Sequence, residues 1–427
     1  MSAGPLTYGV RSCDKDTAMR PARANTALFP LAFAAFSAHA GIVVDLSYVD
    51  PTAPSYTRYL DWVDTGENGG DAYLFSATEA AYAYRLRMEA QDCQTAVALV
   101  QEQVDEANDA IAQGQAPNVA SDSYLEVGSM IRDVALTYDW CSAFASDAQR
   151  EQWAAYADQA IFNVWNPNDA QWGGQPHPWS GWSIDNPGNN YYYSFLGATL
   201  YWGFAGNRSQ WVDFLEQNKW PHLVDYFAAL PGGGSREGTG YGTSHMRLFE
   251  LYRVWRDNTG QDLANASAHL TDSIDYWVHA TVPTLDEFAP IGDQARVSEP
   301  TLFDYQRNLM LQARQMTLDN GAKARAARWL HTISVPQMTQ GFNFRHDLIP
   351  SGDGGALPDT LHHHATGVGH FFARTDWGTD ALWMAFVAGP YTESHAHQDQ
   401  GSFTLYGGYW LAVTENIWTH SGIEQPD

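Results

Sequence analysis

Tyr241 stands in the run Gly234-Ser-Arg-Glu-Gly-Thr-Gly-Tyr-Gly-Thr-Ser-His245, between two glycines and shortly after Arg236 and Glu237. A second polar run, Ser394-His-Ala-His-Gln-Asp-Gln-Gly-Ser-Phe403, lies far downstream. Neither run has the composition of a core segment. A phenol and two imidazoles are proton-transfer groups, and Gly238, Gly240 and Gly242 leave the tyrosine ring little to pack against locally. A phenol titrates at about 10, so Tyr241 can serve as a base only if Arg236 or a nearby histidine lowers that value. The plain alternative is a tyrosine packed over a glycine turn.

Two kinds of element must position these runs. From about Thr57 to Leu330 apolar residues recur at three- and four-residue steps, as in Ile131-Arg-Asp-Val-Ala-Leu-Thr-Tyr-Asp-Trp140. Ser121–Glu126 offers a capping-box-like helix start, and Ser146-Asp-Ala-Gln-Arg150 opens another helix. Loops rich in Gly, Pro, Asn and Trp separate the helices at 172–190, 231–243 and 288–300, which suits a toroid with its long loops gathered on one face. After Pro350 the period changes, and 366–375, 381–389 and 401–414 read as strands, with a hairpin turning at Gly407-Gly408. The expected organisation is a helical domain over 41–345 and an antiparallel β domain over 346–427. So few strands leave an open edge, so the β domain is expected to be truncated and the chain a fragment. His362-His-His364 reads as an incidental trio in a loop.

Composition narrows the function. With 427 residues the chain can bury a large core. Forty-nine acidic against 23 basic side chains give a net charge of -26, which excludes a nucleic-acid binder and requires any anionic partner to be met by locally gathered Arg and His. Aromatics at 14% exceed what the core needs and suit a sugar-binding cleft. Arg20 and Arg23, the apolar run Ala27–Phe36 and Ala38-His39-Ala40 make residues 1–40 a secretory signal peptide, with Met19 as an alternative start, and imply a secreted or periplasmic protein. No other run approaches membrane-spanning length. Processing removes Cys13 and leaves Cys93 and Cys141, either as one disulfide or as two buried thiols.

Arg132–Trp140, Asn186-Pro-Gly-Asn-Asn-Tyr191, Ser235–Tyr241, Ile291-Gly-Asp293 and Ala373–Gly378 followed by His395–Tyr406 together resemble the heparinase II/III-like polysaccharide lyases. The resemblance runs from about residue 120 onward and rests on the order of the segments, since each alone is weak. It implies an incomplete (α/α) toroid followed by a β-sandwich, and β-elimination on a uronic-acid polysaccharide. Tyr241 would then donate or accept the proton, with Asn190, His395 and Arg236 completing the catalytic set. Asn189, Tyr191, Glu237, His245, Trp179, Trp182 and Arg374 would contact substrate. Where the family has a histidine after its asparagine, this chain has Tyr191, which leaves Tyr191 or Tyr241 to take over its part. His397 matches a zinc ligand with Glu415 as its one available partner, so a structural zinc belongs to a full-length β domain and none is required for catalysis. Scarcity of basic residues points to an unsulfated uronan, alginate first. Two other readings remain: a toroid glycoside hydrolase drawing on Glu237, Asp185 or Asp293, and a non-catalytic carbohydrate-binding protein.

Overall fold

The computed structural model describes residues 41–293, 302, 304–333 and 343–413. The expected leader over 1–40 and Glu415 lie outside the described residues. Helices α1 (Pro54–Glu67), α2 (Ala77–Arg87), α3 (Ala90–Ala112), α4 (Val127–Trp140), α5 (Asp147–Trp165) and α6 (Asn190–Ala205) come first. They are followed by α7 (Ser209–Phe214), α8 (Trp220–Ala228), α9 (His245–Thr259), α10 (His269–Ala280), α11 (Asp304–Met316) and α12 (Asn320–Thr332). Strands β1 (Gln171–Trp172) and β2 (Gln175–Pro176) form a small hairpin between α5 and α6. A five-stranded antiparallel sheet, β3 (His362–Ala365), β4 (His370–Arg374), β5 (Trp383–Val387), β6 (Phe403–Tyr406) and β7 (Trp410–Ala412), closes the described chain in sequential order.

Helix α6 explains the packing of the helices. Every residue from Tyr192 to Ala205 is buried, the signature of a helix surrounded on all sides. Gly128 lets α4 close on it: a Cβ there would stand 2.7 Å from the Ser194 carbonyl oxygen. Helices α2, α4, α6, α9 and α11 pack one against the next in that order. Side-chain pairs show that the first four run parallel. Thr78 meets Asp133 and Tyr82 meets Trp140; Tyr138 meets Trp202; Tyr193 meets His245 and Tyr201 meets Glu250. Their N-termini therefore share one end, and that end carries Asn190 and the turn that holds Tyr241. Helix dipoles there favour negative charge, a local counterweight to an acidic chain.

The helix start expected at Ser146 forms as a full capping box with Gln149. The one expected at Ser121–Glu126 does not. Asp122, Ser123 and Tyr124 adopt left-handed backbone and α4 begins only at Val127. Tertiary contacts override the local signal: Tyr124 is buried under Trp179 and Trp172, and Asp122 accepts the Tyr191 hydroxyl at 2.9 Å. Cys93 at the start of α3 and Cys141 at the end of α4 form a disulfide, which settles the open alternative.

The sheet packs one face on α10. Tyr276 hydroxyl and His370 Nδ1 lie 2.8 Å apart, and Trp383 Nε1 donates to the His279 carbonyl at 2.8 Å. The hairpin between β6 and β7 turns through residues 407–409, as expected at Gly407-Gly408. His362-His-His364 is not a loop but an edge strand in register with Phe371–Ala373. Its polar side chains hid the period-two pattern that places Ala365 inside. No described helix is long and apolar enough to cross a membrane.

Candidate active site

Three backbone segments meet so closely that only glycine fits between them. A Cβ on Gly238 would stand 2.1 Å from the Ile291 carbonyl oxygen. One on Gly292 would stand 2.6 Å from that of His395 and 2.7 Å from that of Glu237. Thr239 N–H donates to Ile291 O at 2.8 Å, and Asp293 N–H to His395 O at 2.9 Å. This junction joins the glycine-rich arm, the 289–293 segment and the 393–397 loop that precedes β6. It brings together residues that the sequence scatters over more than a third of its length.

On this junction the Tyr241 ring lies parallel to the His395 imidazole, with centroids 3.5 Å apart and planes 2° apart. Behind them Asp293 reaches both histidines, Oδ2 to His395 Nδ1 and Oδ1 to His397 Nε2, each at 2.9 Å. Burial works to raise the Asp293 pKa, but the hydrogen bonds and charges of His395 and His397 outweigh it and lower it to about 2. The carboxylate is therefore ionised and can only accept, so His395 carries a proton on Nδ1 and His397 one on Nε2. That leaves His395 Nε2 as the ring nitrogen available to a substrate.

Tyr241 is half-buried, and its pKa is pushed up to about 12, by burial first and then by the negative charges of Asp293, Glu237 and Asp122. Arg236 does not lower it, contrary to the sequence expectation. Its guanidinium lies 5.6 Å from the Tyr226 ring, and its charge acts on Glu393 instead. The phenol stays protonated at neutral pH.

A buried acid supports the start of α6. Glu237 is fully buried, and its Oε1 accepts the Asn190 N–H at 3.1 Å. Burial drives its pKa well above the usual carboxylate range; the Asn190 N–H opposes this, while Glu393 and Asp293 add to it. Asn189 caps the helix by accepting the Tyr191 N–H and donates to Ser394 Oγ at 3.3 Å. Asn190 is buried, with Oδ1 unpartnered among the described residues. Glu393 accepts from Asn186 Nδ2 at 3.0 Å and so ties the loop before α6 to the β-domain loop.

No family model and no curated protein matches this chain. Solved structures do. A heparinase III crystal structure superposes with a TM-score of 0.54 at 15% identity, covering 90% of this chain and 54% of that one. The fold is heparinase III-like. A heparan sulfate lyase from Pedobacter heparinus (14% identity, 89% and 52% coverage, TM-score 0.46) and a Streptomyces coelicolor A3 chondroitin AC lyase (11%, 84% and 55%, 0.45) also match. The chain thus spans about half the length of the structures it matches.

Within this heparinase III-like fold, several expected residues stand away from the junction. His245 does not share a helix face with Tyr241, because Tyr241–Ser244 form a 3-10 turn and α9 starts only at His245. Its ring is buried among Tyr193, Phe227, Phe249 and His269. Arg374 does not pair with Asp376. Its Nη2 donates to the carbonyls of His279 and Thr281, and its guanidinium lies over Trp377. Trp179 donates to Asn163 O and packs on Tyr124, whereas Trp182 is exposed. Tyr191 is half-buried; burial, then the hydrogen bond to Asp122, raises its pKa. Glu393 and Asp122 were not among the predicted site residues, and Asp293 and Asn186 were quoted in the sequence without a place in the lyase site. Gly292-Asp293 and the acid directly before Ser394-His395 were the available signals, and only topology shows that they converge.

A zinc at His397 does not fit the described residues. His397 Nε2 is engaged by Asp293, and no three His, Cys, Asp or Glu side chains among the described residues are placed to hold a metal.

Proposed function

We propose that this protein is a polysaccharide lyase that cleaves a uronic-acid polysaccharide by β-elimination, on an incomplete (α/α) toroid followed by a β-sandwich. The observation that carries the reading is Tyr241 stacked on His395 with Asp293 fixing the imidazole. Elimination removes the C5 proton of a uronate and expels the C4 oxygen as the C4–C5 double bond forms. It needs a base, an acid and donors for the charge that develops on the carboxylate. His395 Nε2 is the base, oriented through Nδ1 by Asp293. Tyr241, protonated and with a raised pKa, gives its proton to the departing oxygen. Asn190 and the converging helix N-termini would bind the carboxylate.

The likeness to the heparinase III structure supports the reading as an analogy of fold. The hydrolase alternative loses support because Glu237 is fully buried, Asp293 is held by two histidines and Asp185 pairs with Lys219 at 2.7 Å. An unsulfated uronan, alginate first, remains the preferred substrate, since the junction offers one arginine and two histidines rather than a basic field. Export stays part of the proposal. The test is a panel of purified uronans read by ultraviolet absorbance of the unsaturated product. Absorbance growing on an unsulfated uronan is expected. New reducing ends without absorbance would establish a hydrolase, and binding without digestion on every member a lectin-like protein.

A further inference from the structure

Helices α2, α4, α6, α9 and α11 line a cavity of about 370 Å³ whose lining includes neither Tyr241 nor His395. Its walls continue the elements that carry the site. Asn190 opens α6, and Tyr193, Ser194 and Tyr201 line the cavity along that helix. Met246 and Glu250 line it on α9, just past the Tyr241 turn. At about 1.5 Å per residue, the eleven steps from Asn190 to Tyr201 reach roughly 16 Å from the junction.

The floor is a buried string of alternating charge. Arg345 Nε bonds Glu79 Oε1 at 3.1 Å, Arg345 Nη1 bonds Glu250 Oε1 at 2.7 Å, and Arg132 Nη1 stands 3.7 Å from Glu250 Oε2. Two acids and two arginines cancel within this string; Asp133, bonded to Ser76 and Thr78, and Glu126 and Arg247 also line the cavity. The end facing the cavity is not saturated. Arg132 donates through Nε to Thr78 at 3.3 Å, while its Nη atoms make no hydrogen bond among the described residues. Asn308, only 2% exposed, presents an Oδ1 with no partner among the described residues. A buried carbonyl acceptor costs about 1–3 kcal/mol when left unpaired, so a wall that keeps one beside spare guanidinium donors is built for a polar guest.

We propose that this cavity is a subsite for the terminal sugar of the polysaccharide, with Arg132 donating to its carboxylate and Asn308 accepting from a hydroxyl. The proposal rests on the lyase reading and deepens it. A cavity this size, at the low end of the roughly 300–1,000 Å³ of small-ligand pockets, holds about one or two sugar rings. A chain whose end is seated there is cut near its terminus, so the enzyme is exolytic.

Two measurements test it. On polymannuronate, absorbance should rise while viscosity stays near its starting value, and the earliest products should be mono- and disaccharides. An early collapse of viscosity with few bonds cut overturns exolytic action. Separately, sodium D-glucuronate is titrated calorimetrically into the wild type and into Ser129→Trp and Met246→Trp, which fill the cavity from α4 and α9. Both variants should weaken binding about tenfold or more, with melting temperatures near that of the wild type. Hydrogen exchange on the wild type, which needs no variant to fold, should show glucuronate protecting α4, α6 and α9. Unchanged affinity in the folded variants, or no protection of those helices, overturns the subsite. If no uronan is digested the lyase reading fails, while titration and exchange still decide whether the cavity takes a sugar acid.

Discussion

Two histidine pairs touch the same glycine-rich arm and are put to opposite uses. His395 and His397 meet it at the junction with the sheet, where Asp293 bonds both rings and Tyr241 stacks on one. His245 and His269 meet it from the helical side, with ring centroids 5.0 Å apart inside a shell of Phe227, Phe249 and Tyr193. His269 Nε2 lies 2.9 Å from Gly234 O and anchors the arm. Burial pushes the His269 pKa down to about 4; burial, then His269, drives that of His245 well below the usual imidazole range. One pair is tied to an ionised carboxylate beside a phenol, and the other is desolvated and neutral. The environment, not the residue type, separates the pair proposed to move a proton from the pair that fills space.

The sharpest way to break that contrast is to remove the phenol. Tyr241→Phe keeps the ring on His395 and deletes the proton, and kcat on the uronan found active should fall about 10²- to 10⁴-fold with an unchanged melting temperature. The pH profile adds a second readout. With Tyr241 at about 12, activity should not climb tenfold per unit between pH 8 and 10, as it would if a phenolate were the base. A steady climb of that size would reverse the roles given to Tyr241 and His395.

Asp293→Asn comes next. The amide no longer fixes a proton on His395 Nδ1, and kcat should drop about 10²-fold. KM should move less than kcat, since the groups that would bind the uronate are untouched. A stability loss with kcat unchanged would make Asp293 a strut and not a positioning residue.

Much of this architecture was legible beforehand, and for definite reasons. The helical period around Ile131 and Val134, the β-hairpin at Gly407-Gly408 and the cap at Ser146 are local signals that the structure reproduces. The stacking of Tyr241 on His395 could be named only as two promising runs, since more than a hundred intervening residues decide whether they meet. What misled was also local. His245 sits four residues beyond Tyr241, a spacing that means a shared face only if both lie on one helix, and here the helix begins at His245. Asp122 looked like part of a cap and instead receives the Tyr191 hydroxyl, because burying Tyr124 turned the backbone left-handed. Arg374 looked like a carboxylate receptor, yet two backbone carbonyls on the α10 side claim it.

His269→Phe probes the other member of the comparison. Leaving Gly234 O without its donor should cost about 1–3 kcal/mol at pH 7.5, with kcat within about twofold of wild type. The sign of the pH effect follows from the depressed pKa. The unfolded chain takes up a proton near pH 6.5 while the fold resists until about 4. The stability tied to neutral His269 is therefore present above about 6.5 and lost as pH falls toward 4, by up to about 1.4 kcal/mol per unit. The variant's deficit should shrink over that window in urea unfolding. A fall in kcat as deep as that of Tyr241→Phe would erase the distinction between the two pairs.

The smallest change is the most discriminating, because Glu237 sits on the arm between the two pairs, buried like one and among acids like the other. Its raised pKa carries the opposite sign from His269. The fold holds the proton after the unfolded chain has released it near pH 4.3, so stability declines as pH rises above that value. Glu237→Gln keeps an oxygen to accept the Asn190 N–H and cannot ionise. Activity should stay within a fewfold of wild type, while the melting temperature of the variant should gain on that of the wild type between pH 5 and pH 8. If the variant instead ran level with the wild type across that window, Glu237 would be ionised in the folded protein. The junction would then carry another negative charge against an incoming uronate, and the burden of drawing that substrate in would shift further onto the helix N-termini and Arg236.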